Sequence, residues 1–309
     1  MDRKQLRAFV AVAEQRSFSG GARALGTVQS NVSAHIARLE KELGVTLIDR
    51  STNEPTDEGR AVLERARRIE AEFDALDADV ASLRDVVSGS VRLGAIGTTA
   101  RWLVAPLLTS LSEHYPEIRV IILDATTSSL ELSLLSGTID LAIVNLPVDE
   151  PDLALEPLFD EDRTLIVPLG HPLHDRDSIT LVELAEHDLL LEAKGTAFRD
   201  VLDHAAEAQG VRLRPKAELD GMRLLASLVF AGYGAGIVPA SAIPPNLDGG
   251  WRSIPVHGVP GRSVGLARRR RSLLTAAQRV VAERIRRTIA ESAADVPGVH
   301  PTVGPHDLA

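Results

Sequence analysis

Apolar and polar residues between positions 17 and 43 follow two helical patterns in succession. Phe18, Ala22 and Leu25 form the apolar side of a short helix that ends at a turn on Gly26. In the next helix, spacings of four, three and four place four apolar residues on one face: Val32, Ile36, Leu39 and Leu43. Two helices joined by a tight glycine turn are typical of a helix-turn-helix, although a pair of ordinary core helices gives the same pattern.

The outer face of the second helix carries small polar and basic side chains. Amide, hydroxyl and guanidinium groups near the start of such a helix can hydrogen-bond base edges and phosphate oxygens. We therefore expect this face to contact DNA in the major groove through Gln29, Ser30, Asn31, Ser33, His35 and Arg38.

A longer apolar stripe follows, with spacings of four and three over about three and a half heptads. It comprises Val62, Ala66, Ile69, Phe73, Leu76, Val80, Leu83 and Val87. Thr56, followed by Asp57 and Glu58, is a suitable N-cap for this helix. We expect a dimerisation seam at Ile69, Phe73, Leu76, Val80 and Leu83; the alternative is one amphipathic helix that packs on its own domain. A dimer would hold two DNA-reading helices at a fixed separation, which suits an interrupted palindrome.

Beyond a short polar hinge at residues 88–90, strands alternate with helices. The pattern predicts strands at 91–96, 119–123 and 140–144, with helices at 102–114 and 128–136 between them. A second set follows, with strands at 164–168, 189–191 and 236–239 and helices at 197–209 and 222–231. This order predicts two α/β lobes with parallel neighbouring strands and a cleft between the lobes.

Hydroxyl and amide side chains follow several of these strands. Ligands of open α/β sheets gather at the carboxyl ends of strands and at helix N-termini, where free N–H groups favour anions. The predicted effector residues are Thr98, Thr99, Arg101, Thr126, Thr127, Ser128, Asn145 and Thr196. Each hydroxyl could equally be a helix cap, and a single arginine is often a solvated surface residue.

Charge and composition narrow the class of protein. The 309 residues carry a net charge of −9, yet residues 1–50 have eight Lys and Arg against five Asp and Glu. The basic excess therefore lies on the predicted DNA-binding part. The absence of cysteine excludes disulfides, thiolate metal sites and thiol redox sensing. Because no catalytic or cofactor motif appears, we expect the protein to have no catalytic activity and to bind no cofactor or metal. Because no signal peptide appears, we expect a cytoplasmic location without membrane association.

Several N-terminal motifs resemble those of the LysR-type transcriptional regulators. They are residues 5–14 (QLRAFVAVAE), 17–19 (SFS), 29–33 (QSNVS), 38–40 (RLE), 43–45 (LGV) and Arg50. The similarity covers nearly all of the first sixty residues, and weaker signatures continue to about residue 290. In that family this region is a winged helix-turn-helix, and the positions that contact DNA match Gln29, Ser30, Ser33 and Arg50.

Three positions depart from the family pattern. Val28 replaces the usual capping serine, so that Thr27 would cap the helix if it began one residue earlier. Ala34 replaces a frequent arginine. The wing, residues 51–55, is about two residues shorter than usual and contains no Lys or Arg, the side chains on which minor-groove contact generally relies.

The resemblance implies an α/β protein with a winged helix-turn-helix, a long linker helix and a two-lobed effector domain of the periplasmic-binding-protein type. The expected boundaries are 1–58, 59–88 and 89–292, with lobe I at 91–163 and 265–292, lobe II at 164–264, and a disordered tail at 293–309. The expected partners are double-stranded DNA, a small, anionic effector and further copies of the chain, as a dimer or tetramer. The alternative is a small-molecule binding protein whose N-terminal helices serve only for oligomerisation.

Overall fold

The computed structural model describes residues 1–82, 87–244 and 249–302. Its N-terminal domain begins with α1 (Arg3–Gln15), α2 (Phe18–Ala24) and α3 (Gln29–Leu43). Val32, Ile36 and Leu39 on α3 are completely buried against α1 and α2, whereas Leu43 is 40% exposed. Gly21 allows α1 and α2 to cross closely, because a Cβ atom there would lie 3.1 Å from the backbone nitrogen of Val12. The predicted helix-turn-helix is confirmed.

The ends of these helices explain the turn between them. The Ser17 hydroxyl accepts a hydrogen bond from Gly20 N at 3.1 Å and caps α2. Gly26 has a φ of +63°, which favours glycine. Val28 is the N-cap of α3 and offers no side-chain hydrogen bond, while Thr27 accepts one from Asn31 Nδ2 at 3.1 Å. Thr27 therefore does not cap the helix.

A short hairpin and a long helix complete the N-terminal domain. The hairpin is closed by Asp49 N to Glu54 O at 2.9 Å and by Thr56 N to Leu47 O at 3.0 Å. It leads into α4 (Asp57–Ser82). The predicted cap at Thr56 is confirmed, because its hydroxyl accepts a hydrogen bond from Gly59 N at 2.9 Å.

The apolar stripe of α4 divides between two environments. Ala66 is buried in the N-terminal core, and Ile69 packs against that core. Phe73 is covered in part by the guanidinium of Arg3, 4.7 Å from its ring centre. Leu76 and Val80 are 59% and 52% exposed in the single chain. Leu83 lies outside the described residues. The N-terminal half of the stripe thus packs on its own domain, Leu76 and Val80 are open to a partner, and Val87 packs against the core of lobe I.

Strands and helices alternate in the rest of the chain. The strands are β1 (Gly89–Ala95), β2 (Ile118–Asp124), β3 (Leu141–Leu146), β4 (Leu153–Glu161), β5 (Arg163–Pro168), β6 (Ile179–Thr180), β7 (Asp188–Glu192), β8 (Arg214–Leu219), β9 (Ala235–Pro239), β10 (Trp251–His257), β11 (Arg262–Arg269) and β12 (Val299–Pro301). The helices are α5 (Gly97–His114), α6 (Thr127–Leu135), α7 (Leu181–Leu184), α8 (Ala197–Glu207), α9 (Met222–Phe230) and α10 (Ala276–Ser292).

The strands form two six-stranded sheets, one in each lobe. The orders are β12-β4-β11-β3-β1-β2 in lobe I and β6-β10-β5-β9-β7-β8 in lobe II. In lobe I, β1 pairs in parallel with β2 and β3; in lobe II, β7 pairs in parallel with β8 and β9. The chain crosses between the sheets after β4 and after β10. The predicted two-lobed α/β architecture is therefore confirmed, with β11 joining lobe I from Arg262 onwards.

Two segments differ from the sequence-based expectation. Helix α5 begins at Gly97 rather than at residue 102, so Thr98 and Thr99 belong to its first turn. Residues 293–302 are ordered rather than disordered: a 3-10 turn is followed by β12, which pairs antiparallel with β4. Buried Val296 and Val299 anchor this segment on the core of lobe I. Residues 303–309 lie outside the described residues.

Basic side chains attach α4 to lobe I and to α1. Arg68 Nη2 on α4 donates to the carbonyl of Leu135 at the end of α6. Within lobe I, Arg269 Nη1 of β11 donates to the neighbouring carbonyl of Leu134 at 2.7 Å. Between α1 and α4, Arg3 Nε lies 3.5 Å from Glu70 Oε2. In the described ranges, no helix combines the length and apolar character that a membrane-spanning segment needs.

Candidate functional site

The exposed face of α3 carries polar side chains that the fold does not use. Gln29, Ser30 and Arg38 are exposed, Ser33 is half-buried, and none of these four side chains makes a hydrogen bond within the described residues. Asn31 is exposed, and in the part of the chain that the structure describes its side chain hydrogen-bonds only Thr27. The structure therefore brings five of the predicted DNA-contacting residues to one accessible helix, where most of their donors and acceptors are free for bases and phosphates.

His35 does not share this environment. It is half-buried, and its Nδ1 atom is buried without a hydrogen-bond partner among the described residues. His35 is therefore less accessible to DNA than the exposed residues of α3.

Arg50 is positioned by Glu40, which the sequence analysis identified only as part of the motif at residues 38–40, without a role. Its Nη2 donates to Glu40 Oε2 at 3.0 Å, and its guanidinium lies 4.6 Å from the ring centre of Phe18. Glu40 Oε1 accepts hydrogen bonds from Leu47 N at 2.8 Å and Ile48 N at 3.2 Å. Glu40 therefore fixes both the hairpin and Arg50 relative to α3, while Arg50 keeps further N–H groups for a phosphate.

The hairpin itself is acidic. Asp49 and Glu54 flank its tip, and Glu54 pairs with Arg16 at 3.2 Å. Hydrogen bonds from the Ser51 hydroxyl and Ser51 N lower the pKa of Asp49, so this group is ionised. An ionised carboxylate at the tip repels the phosphate backbone.

The carboxyl ends of β1, β2 and β3 meet at one edge of lobe I, because β1 pairs with both of the others. Thr127 Oγ1 accepts a hydrogen bond from Asn145 N at 3.1 Å, and this joins two predicted effector residues. Thr99 is completely buried, and its hydroxyl has no partner among the described residues; the same holds for the buried Oδ1 of Asn145. Unpaired buried polar atoms at this edge are suited to a polar ligand.

The remaining predicted residues of lobe I have other positions. Thr126 caps α6 by accepting a hydrogen bond from Ser129 N at 3.4 Å, and Ser128 is exposed. Thr98 Oγ1 accepts one from Arg262 Nη2 at 2.6 Å. Arg101 donates to the carbonyl of Ala242 at 3.4 Å, which makes it a contact to the segment that follows β9. This hydrogen bond engages one N–H group of Arg101, and the guanidinium has further donors.

A buried ion pair lies next to Thr98. Arg262 Nε donates to Glu161 Oε1 at 2.6 Å, and the other oxygen of Glu161 accepts a hydrogen bond from Ser241 N at 2.8 Å. The side chain of Glu161 is completely buried and that of Arg262 is 9% exposed. A second ion pair, Arg223 with Asp124, joins α9 of lobe II to the end of β2. These contacts hold the two lobes together around the cleft.

Lobe II contributes two polar residues to the candidate effector site: the predicted Thr196 and Glu192, which was not predicted. Thr196 caps α8 by accepting a hydrogen bond from Arg199 N, and its own hydroxyl lies 3.0 Å from Ala193 O and 3.3 Å from Glu192 Oε2. Glu192 is 7% exposed, and burial raises its pKa. A glutamate directly after an apolar strand was the only signal in the sequence.

Between α5 and α9 is a cavity of about 720 Å³. Its lining includes Thr98 and Arg101, together with the Arg223–Asp124 ion pair, but neither Thr99 nor Asn145. The unpaired polar atoms are better evidence for a ligand than the size of this mainly apolar cavity. Within the described ranges, no group of three or more His, Asp or Glu side chains could hold a metal ion.

Comparisons with known proteins agree with this arrangement. The family model "LysR substrate binding domain" matches residues 84–290, and "Bacterial regulatory helix-turn-helix protein, lysR family" matches residues 3–60. A "Probable hydrogen peroxide-inducible genes activator" from Mycobacterium leprae is 36% identical over 288 residues, which cover 90% of this chain and 91% of the relative.

Two solved structures have the same fold along most of the chain. A full-length OxyR variant from Pseudomonas aeruginosa is 25% identical, with a TM-score of 0.71 and coverage of 93% of this chain and 95% of that one. Full-length CbnR complexed with its target DNA is 25% identical, with a TM-score of 0.67 and coverage of 93% and 100%. With both family models matched in the expected order, the chain belongs to the LysR family of bacterial helix-turn-helix transcriptional regulators.

Proposed function

We propose that this regulator binds interrupted palindromic DNA as a dimer or tetramer through α3 and Arg50, and that a small anionic metabolite in the cleft changes how it lies on the DNA. The observation that carries the proposal is the accessible face of α3, whose side chains are free of internal partners. The crystallised complex of CbnR with target DNA supports the same use of the domain here. A cytoplasmic location and a binding rather than catalytic role are part of the proposal.

The effector cannot act by oxidising a thiol. The relative from Mycobacterium leprae is named for hydrogen peroxide, but this chain contains no cysteine. The response must therefore come from non-covalent binding or from chemistry at another group. The N-termini of α5 and α6 and the free Thr99 hydroxyl support a small anion, because N–H groups and hydroxyls solvate a carboxylate.

Two substitutions test the DNA-binding face. Gln29→Ala should lower the preference for the specific site by about 5- to 150-fold, because a bidentate amide–adenine contact contributes about 1–3 kcal/mol of discrimination. Arg50→Ala should weaken binding to specific and scrambled DNA alike and reduce the salt slope by about 1. Fluorescence anisotropy on DNA from upstream of its own gene, at several salt concentrations, measures both.

Arg119→Ala is the matched control, because Arg119 is exposed on β2 in lobe I. It removes one positive charge and should leave both the affinity and the salt slope unchanged. An unaltered preference for the specific site in Gln29→Ala would contradict the assigned face of α3.

Thr99→Val tests the cleft. Valine preserves the volume and removes a hydroxyl that has no internal partner, so the ligand-free protein should be as stable as the parent. Affinity for a carboxylate ligand identified by thermal-shift screening should fall by about 10- to 150-fold. Calorimetry measures the loss. Thr109→Val, on the exposed side of α5, is the control, and equal affinity in both variants would place the site elsewhere.

A further inference from the structure

Glu192 is a buried carboxylate that forms no ion pair within the described residues. It is the last residue of β7, at the carboxyl edge of the lobe II sheet where ligands of open α/β sheets bind, and it is 93% buried. Its only side-chain hydrogen bond within the described part of the chain comes from the Thr196 hydroxyl at 3.3 Å. An isolated charge in such a position is unfavourable unless a counter-ion or a proton reaches it.

Two basic groups near Glu192 are already engaged. Arg199 donates to the backbone carbonyl of Glu192 at 2.8 Å, but its guanidinium pairs with Asp203 and Glu218, each at 2.9 Å. Arg262 forms its ion pair with Glu161 at 2.6 Å and donates to Thr98 at 2.6 Å. Burial raises the pKa of Glu192, the Thr196 hydrogen bond and Arg262 oppose the rise, and Asp220 adds to it. The carboxylate of Glu192 therefore remains available to a positively charged group that enters from the cleft.

The lobe I side of the cleft favours a negatively charged group, whereas Glu192 favours a positively charged one. The 18-residue helix α5 and the 9-residue helix α6 both begin at the carboxyl edge of the lobe I sheet. Their first N–H groups and partial positive charge favour an anion. The completely buried Thr99 hydroxyl, which has no partner among the described residues, is a further donor at the start of α5.

We propose that the effector is an α-amino acid whose carboxylate binds at the N-termini of α5 and α6 and whose ammonium group binds Glu192. This inference rests on the proposed function of the cleft and adds the chemical class of its ligand. A zwitterion presents a carboxylate to the helix N-termini of lobe I and an ammonium group to Glu192 of lobe II. One small molecule would therefore bind both lobes. Such a link favours the closed arrangement of the lobes.

Matched probes test the requirement for both charges. The full-length protein is screened by thermal shift with the twenty L-amino acids, and each that binds is compared by calorimetry with its 2-hydroxy acid and its decarboxylated amine. Each analogue lacks one of the two charged groups. We expect the hydroxy acid and the amine to bind about 10- to 150-fold more weakly than the amino acid, as the loss of a charged hydrogen bond predicts.

Glu192→Gln identifies the partner of the ammonium group. Glutamine retains the size and the contact with Thr196, so the variant should fold and melt at the same or a higher temperature without ligand. Its affinity for the amino acid should fall by about 10-fold or more, while its affinity for the 2-hydroxy acid should be unchanged. Glu207→Gln, at the far end of α8 and exposed, makes the same chemical change outside the cleft and should alter neither affinity.

The outcomes separate this inference from the function on which it rests. If hydroxy acids bind as tightly as amino acids and Glu192→Gln has no effect, the cleft binds small anions and the amino acid class is wrong. If only the amines bind, or if no amino acid raises the melting temperature, the inference is also overturned. Loss of all carboxylate binding in Thr99→Val, with DNA binding retained, supports the cleft independently.

Discussion

Leu76→Asp is expected to separate the oligomer into single chains and to weaken binding to paired half-sites by about 10²- to 10⁴-fold, the usual gain from linking two binding modules. Leu76 is 59% exposed in the single chain and lies beside Val80 on the open part of the α4 stripe. A symmetric seam would contain the new carboxylate twice, unpaired and partly desolvated, which costs several kcal/mol. Sedimentation velocity measures the assembly, and anisotropy measures the DNA affinity.

Ala61→Asp is the control for this substitution. Ala61 is exposed on the same helix but outside the stripe, so the same charge there should leave the assembly intact. Leu76→Ala should give an intermediate dissociation constant, because it removes apolar area without adding charge. Unchanged sedimentation of Leu76→Asp would show that the seam lies elsewhere.

Arg262→Ala should destabilise the effector domain by about 3–5 kcal/mol, because it leaves the fully buried Glu161 carboxylate without its cation. The same substitution removes the donor to Thr98 at the lobe boundary. Urea unfolding at neutral pH measures the loss of stability.

The double variant Arg262→Met, Glu161→Gln distinguishes charge from packing. It removes both charges and retains most of the volume, so it should recover most of the stability lost in Arg262→Ala. Equal stability of Arg262→Ala and the parent protein would mean that water replaces the arginine without cost.

Local patterns predicted the elements whose partners are nearby in the chain. Val32, Ile36 and Leu39 are buried because a 3.6-residue period fixes one face of α3 whatever that face contacts. The stripe on α4 shows where this reasoning ends. The periodicity places Ala66 and Leu76 on the same apolar face of α4. Only the fold shows that Ala66 is buried in its own domain and that Leu76 is exposed.

The elements and site residues that the sequence patterns did not predict depend on contacts between residues distant in the chain. As β-branched residues, Thr98 and Thr99 favour strands over helices, yet both are buried in the first turn of α5. Val296 and Val299 gave too weak a pattern to predict β12, which depends on pairing with the distant β4. The sequence patterns assigned no role to Glu192 and included Glu40 only as part of a motif, because the contacts of both depend on residues distant in the chain.

The attachment of α4 to both α1 and lobe I makes the helix a lever. With 26 residues and about 1.5 Å of rise per residue, it is about 39 Å long. Arg68 lies about 16 Å along the axis from the start of α4 at Asp57, so a tilt of about 5° about Arg68 displaces that end by about 1.4 Å. A tilt of about 12° transmitted from lobe I would displace it, and the DNA-binding domain attached to it, by about the 3.4 Å rise of one base-pair step.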